Sequence, residues 1–217
     1  MNRHSKVIKL TLPQIYPITD TRISGLSIFA QVDRLIAGGA GFIQIREKYA
    51  SSHQFYESAA AAINIARANG TRIIINDRVD IALALKADGV HLGQDDLPCS
   101  EARAILGDDA IIGISTHSFD QARAALDLPV DYIAIGPIFS TSTKGNPHSV
   151  VGIERLRKVR TLIGDFPLVA IGGITRLNIG SVFKAGADSA AVISGLISEE
   201  NQITQRMQEF AKLNQDG

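Results

Sequence analysis

A single cysteine, Cys99, is all the thiol chemistry in this chain of 217 residues. One cysteine excludes an intramolecular disulfide and fits a reducing compartment. An excess of charge of one sign is missing too, with Lys plus Arg and Asp plus Glu at 22 each. No overall field therefore draws the protein to nucleic acid or to a membrane surface, and anion binding must come from local placement. No run reaches the ~18 apolar residues of a membrane span. The start, MNRHSKVIKL, lacks the apolar block of a signal peptide. A cytoplasmic protein is expected. Linkers and low-complexity breaks are absent as well, so a single domain over 1–217 is expected, with a short N-terminal extension to about residue 12.

What is present is a repeated alternation of short apolar strands and helices. Strands are expected at Ile15–Ile18, Phe42–Ile45, Ile73–Ile75, Gly89–Leu92, Ala110–Ile114, Tyr132–Ile135, Leu168–Ile171 and Ala190–Ile193. Helical periodicity lies between them. It runs over Ile28–Gly38, about His53–Asn69, Val79–Lys86, Ser100–Leu106 with Ser100 as N-cap, Phe119–Leu126, Ile153–Leu162, about Leu177–Lys184 and roughly Asn201–Leu213. Eight strand–helix units in this length point to an α/β protein, a compact (β/α)₈ TIM barrel. A doubly wound open sheet is the rival, but no strand is followed by a GxGxxG fingerprint.

In such a barrel the carboxyl ends of the strands share one face, and ligands bind there. That face collects Gln44, Arg46, Lys48, Asn76, Asp77, Asp96, Ser115, the Thr141–Ser142–Thr143–Lys144 loop, Gly172, Gly173, Ile193 and Ser194. Asp77 and Asp96 stand just past adjacent strands. Two carboxylates about 4 Å apart would repel by roughly 4 kcal/mol at an effective dielectric near 20. A hard cation removes that penalty, and Mg²⁺ commonly takes one or two carboxylates plus substrate phosphates. A magnesium–diphosphate site is the first expectation, with Arg46 as a bidentate fork and Lys48 as a compact charge.

Each of these residues also has a plain structural reading. Arg46 or Lys48 could pair with Glu47 or an acid across the rim, Asp77 with Arg78, and Asp95 or Asp96 could cap the next helix. Gly172–Gly173 and Ser194–Gly195 could receive a second phosphate through backbone N–H groups, as the last two loops of these barrels often do. The irregular stretch STSTKGNPHS (Ser140–Ser149) reads as a closing lid. His91 reads as a core residue, Cys99 as a small helix-start residue, and His117 and His148 have no partner at metal-ligand spacing. No nucleophile–base pair is evident.

The motifs carrying these residues are YPITD (Tyr16–Asp20), QIREK (Gln44–Lys48), IINDRVD (Ile74–Asp80), ADGVHLGQDD (Ala87–Asp96) and GISTHS (Gly113–Ser118). DYIAIGPIFSTSTK (Asp131–Lys144), AIGGIT (Ala170–Thr175) and AVISGL (Ala191–Leu196) complete the set. Together they resemble the thiamine-phosphate synthase (thiamine-phosphate pyrophosphorylase) family over nearly the whole chain. The resemblance implies a (β/α)₈ barrel that joins hydroxymethylpyrimidine diphosphate to a thiazole phosphate and releases diphosphate. It implies that Asp77 and Asp96 hold Mg²⁺, and that Gln44, Arg46, Lys48, Asn76, Ser115 and Lys144 contact the pyrimidine diphosphate. Thr141, Thr143, Gly173, Ile193 and Ser194 would receive the thiazole phosphate, with Ser142 in the same loop. Arg46, Lys48, Ser115 and Lys144 are then the expected catalytic groups. The partners are small-molecule substrates, with no nucleic acid and no membrane, and a homo-oligomer is compatible.

Three rivals remain in view. The family's paralogue resembles this barrel but tautomerises a thiazole carboxylate phosphate; it can lose the metal acids and carry His where this chain has Pro137. A sugar-phosphate isomerase would need an acid–base pair. A ligand sensor would bind without turnover.

Overall fold

A computed structural model describes residues 10–141 and 149–213. Ser142, Thr143, Lys144 and His148 lie outside the described residues. Eight strands form one parallel sheet: β1 (Ile15–Pro17), β2 (Phe42–Ile45), β3 (Arg72–Asn76), β4 (Gly89–Leu92), β5 (Ile111–Thr116), β6 (Tyr132–Ile135), β7 (Leu168–Ile171) and β8 (Ser189–Val192). β1 pairs with β8. The remaining seam, between β1 and β2, closes through a parallel bridge from Ile18 to Gln44, with Thr19 N donating to Gln44 O at 3.0 Å. The expected barrel is therefore present. Its strands are short because the apolar runs are short, and nearly every strand residue is buried, as in a parallel sheet covered on both faces.

The helices are α1 (Thr21–Ser24), α2 (Ile28–Ala37), α3 (Ser52–Ala68), α4 (Val79–Leu85), α5 (Cys99–Leu106), α6 (Phe119–Ala125), α7 (Gly152–Ile163), α8 (Ile179–Lys184), α9 (Ser194–Ile197) and α10 (Ile203–Lys212). Local chemistry starts several of them. Ser51 and Gln54 form a reciprocal capping box on α3, Ser27 Oγ accepts from Ala30 N at 3.2 Å, and Ser118 Oγ accepts from Gln121 N at 3.1 Å.

Two short helices, α1 and α9, were not expected, because four residues are too few to show a 3.6 period. Ser100 does not cap α5; that helix already begins at Cys99, following Pro98. Leu12 is buried and Leu10 packs against the core, so barrel packing begins inside the segment read as an extension.

Space inside the barrel is rationed by glycine. A Cβ on Gly113 would lie 2.0 Å from the Tyr132 ring, so the absent side chain on β5 is what admits that phenol to the barrel axis. A Cβ on Gly89 would lie 1.9 Å from the Ile111 carbonyl oxygen, letting β4 and β5 approach.

Candidate active site

Arg46 enters the rim already held. Its guanidinium Nη1 donates to Asp20 Oδ2, and both side chains are buried. Asp20 Oδ1 meanwhile accepts from Arg22 N at 3.1 Å and Ile23 N at 3.2 Å, capping α1. The Arg46 backbone N–H donates to Thr19 Oγ1 at 3.1 Å. The short helix α1 thus anchors the acid that aims the arginine. Sequence reasoning missed Asp20; the signal was available, an acid ending the first strand as Asp77 and Asp96 end later ones.

Lys48 Nζ donates to Asp77 Oδ2. Asp77 follows β3, its N–H donating to His91 O at 2.8 Å, and its backbone lies in the left-handed region at φ 62°. That conformation is uncommon outside glycine, though Asp tolerates it better than most residues. Burial raises the Asp77 pKa above the usual carboxylate range; nearby Asp96 pushes the same way and Lys48 opposes both. Asp96 Oδ2 accepts from Gly93 N at 2.7 Å, which fixes the loop after β4.

Asp77 pairs with Lys48 rather than Arg78, which binds Asp80, and Asp96 does not cap α5. The two carboxylates expected to converge do so. Among the described residues no three or more His, Cys, Asp or Glu side chains gather as a cage. An Asp77 carboxylate whose charge is disfavoured by burial and by the neighbouring Asp96 fits Mg²⁺, which completes its shell with phosphate and water.

Asn76 sits beside this pair, buried, and its Nδ2 has no hydrogen-bond partner among the described residues. A buried unpaired amide costs about 1–3 kcal/mol, so it marks a place where a ligand acceptor is expected. Glu47, between the two cations, faces the other way. Burial works against its charge, yet hydrogen bonds from Thr21 Oγ1 and from Tyr49 and Ala50 N–H outweigh it and hold the pKa below the ordinary value.

Beside these groups a cavity of about 190 Å³ opens over the ends of β5 to β8, reached by Ser115, Thr141, Gly173, Ile193 and Ser194. Gly172 and Gly173 both have positive φ, and a Cβ on either would strike the segment after β6, at Pro137 and at Ser140 O. The glycine pair is therefore required by close packing of two loops, and its exposed face is the cavity wall. His117 lines the same cavity, with Nδ1 2.7 Å from Gly136 O.

Ser115 differs from expectation in one respect. Its Oγ lies 2.8 Å from His91 Nε2, so a hydroxyl–imidazole contact exists where the sequence suggested none. The pairing register carries the two residues on adjacent strands, a closeness no spacing in sequence reveals. His91 is otherwise the buried core residue expected, and Cys99 is a buried thiol whose pKa burial raises.

A sequence model of the thiamine monophosphate synthase family matches residues 15–196. This chain belongs to that family. A thiamine-phosphate synthase of Chloroflexus aurantiacus is 41% identical over 189 residues, covering 87% of each chain. One of Koribacter versatilis is 44% identical over 211 residues, covering 94% of this chain and 97% of its own. The solved thiamine phosphate pyrophosphorylase of Pyrococcus furiosus superposes with a TM-score of 0.83 at 36% identity, covering 92% of this chain and 94% of that one. The chain is thus an enzyme of thiamine biosynthesis, a transferase with thiamine-phosphate synthase activity. No helix among the described residues is long and apolar enough to cross a membrane.

Proposed function

We propose that the rim described above couples hydroxymethylpyrimidine diphosphate to a thiazole phosphate by dissociative loss of diphosphate. The observation that carries this reading is the convergence of Asp77, Asp96 and Lys48 beside the Asn76 Nδ2, which lacks a partner among the described residues, next to a separate cavity. Asp77 and Asp96 would hold Mg²⁺, whose charge when bound neutralises diphosphate oxygens. Gln44 and Asn76 orient the aminopyrimidine through their amides.

Arg46, fixed by Asp20, presents its remaining N–H groups to the departing phosphates. Lys48, half-exposed, transfers its ammonium from Asp77 to the same oxygens. Ser115 and Lys144 complete the set. The departing group gains negative charge while the benzylic carbon becomes a cation stabilised by the electron-rich ring, so preorganised positive groups lower the main barrier. Thr141, Thr143, Gly173, Ile193 and Ser194, with Ser142, receive the thiazole phosphate and hold its ring nitrogen near the cation, where proximity supplies much of the second step. The 141–144 loop excludes water that would trap the cation.

The protein works as a single barrel domain in the cytoplasm on these small molecules. The deciding experiment mixes both substrates with Mg²⁺ and looks for thiamine phosphate and diphosphate in equal amounts. Binding without product would make it a sensor, and conversion of a thiazole alone would make it a tautomerase.

A further inference from the structure

Through the barrel interior runs a chain of polar contacts joining two of the proposed substrate-binding residues. Gln44 Nε2 donates to Tyr16 OH at 3.0 Å, Tyr16 OH lies 3.0 Å from Tyr132 OH, and Tyr132 OH lies 2.9 Å from His91 Nδ1. His91 Nε2 then lies 2.8 Å from Ser115 Oγ. Gln44, Tyr16, Tyr132 and His91 are all buried, and Ser115 alone reaches the cavity.

The Tyr132 ring stacks on His91 at 5.5 Å and meets Tyr16 edge-on at 6.1 Å, geometry that depends on the room left by Gly113. Burial raises the pKa of both phenols, so each keeps its single proton across any working pH.

Counting hydrogens orders the chain. Tyr16 OH accepts from Gln44, so its own hydrogen must go to Tyr132. Tyr132 then has its hydrogen for His91 Nδ1, which must be the bare nitrogen. The imidazole hydrogen is left on Nε2 and goes to Ser115 Oγ. The opposite order would leave the Tyr16 hydrogen facing the Gln44 NH₂ in a dry core, a loss of the size of a buried unsatisfied donor. Reversal requires the Gln44 amide to turn its oxygen inward, which would reverse every link together.

We propose that Gln44, Tyr16, Tyr132 and His91 form a one-way hydrogen-bond relay that leaves the Ser115 hydroxyl hydrogen directed into the site. His91 and the two tyrosines are then positioning residues for Ser115. The imidazole donates to the serine, so it is not a base that activates it; Ser115 serves as a donor to an anionic oxygen. Gln44, at the pyrimidine, and Ser115, at the departing phosphate, are set by one shared pattern.

This rests on the reading of Ser115 as a diphosphate contact, and the test separates the two. In the unliganded, ¹⁵N-labelled full chain, the His91 ring signals (identified by their loss in His91→Gln) are expected to show a hydrogen on Nε2 and none on Nδ1. A hydrogen on Nδ1 overturns the relay, whatever the enzyme does. In kinetics, Tyr132→Phe is expected to lower kcat about tenfold with KM for the pyrimidine diphosphate held, the loss of one oriented hydrogen bond to a charged group. Placed on Ser115→Ala, the same change should have no further effect. An equal loss in both backgrounds overturns the positioning role. Should Tyr132→Phe not fold, Tyr16→Phe tests the preceding link in the same cycle, and the wild-type tautomer decides independently. A wild-type rate for Ser115→Ala would instead overturn the diphosphate contact while leaving the tautomer result standing.

Discussion

Arg46 shows how much of the site's chemistry is settled before any ligand arrives. An arginine buried with its partner is stable only while the partner stays, because an unmatched charge in that setting costs about 3–5 kcal/mol. Asp20 also caps α1, so its two functions can be separated. Asp20→Asn keeps a capping oxygen but removes the charge, whereas Asp20→Ala removes both. Urea unfolding is expected to show a loss of about 3 kcal/mol for Asn and roughly 1 kcal/mol more for Ala. Equal losses would mean that the cap carries nothing.

Glu47 offers a contrast, since its hydrogen bonds hold its folded pKa below the unfolded one. The stability it contributes is therefore present above the ordinary glutamate range and lost as pH falls through the lowered value. Glu47→Gln should be less stable than wild type at about pH 7 and equal to it at about pH 2, where both forms are neutral. A gap that persists in acid would place the effect in packing.

At the scale of elements, the two ends of the barrel do different work. Opposite the site, three aspartates precede even-numbered strands and accept from the first part of the strand before: Asp88 from Ile73 N, Asp131 from Ile112 N and Asp188 from Leu168 N. Arg103 and Arg160, from the odd-numbered helices α5 and α7, close on Asp131 and Asp188 while gathering loop carbonyls. This is a repeated staple that holds strand starts in register. Asp188→Ala should lower stability by about 1 kcal/mol, discounted for partial exposure, and leave turnover unchanged. Gly113→Ala should cost more, about 1–3 kcal/mol, because the Tyr132 ring has to move. Its turnover should fall as well, since that ring carries the contact to His91; assays on the folded fraction would show whether the two losses travel together.

The whole molecule was legible in the sequence where a period or a strand end carried the signal. Eight apolar runs gave the barrel, and their polar last residues gave Asp77, Asp96, Asn76 and Ser115. What was not legible depended on register across strands. Nothing in the spacing of Tyr16, His91, Ser115 and Tyr132 says that they touch, because strands far apart in the chain must first be wound together. The helix α1 escaped for a different reason, being shorter than any periodicity can show, and Asp20 escaped with it.

Asp77 brings the scales together, because at this residue stability and function oppose each other. Its burial and the nearby Asp96 disfavour the ionised carboxylate, and only Lys48 opposes them. A carboxyl whose folded pKa is raised contributes stability below its unfolded pKa and loses it as pH rises through the folded one. At neutral pH without a divalent cation, the charge on Asp77 is thus a burden on the fold. Asn tolerates the same backbone and carries no charge. Asp77→Asn in EDTA at about pH 7 is therefore expected to unfold at a temperature equal to or above that of wild type. With Mg²⁺ and both substrates its turnover should fall by roughly 100-fold or more, the scale of losing a preorganised electrostatic group. Added Mg²⁺ should raise the melting temperature of wild type and not that of the variant, since a ligand that binds only the folded state stabilises in proportion to its occupancy. A variant that melts early in EDTA would make Asp77 a structural partner of Lys48, and the carboxylate pair would then be part of the scaffold rather than a metal site.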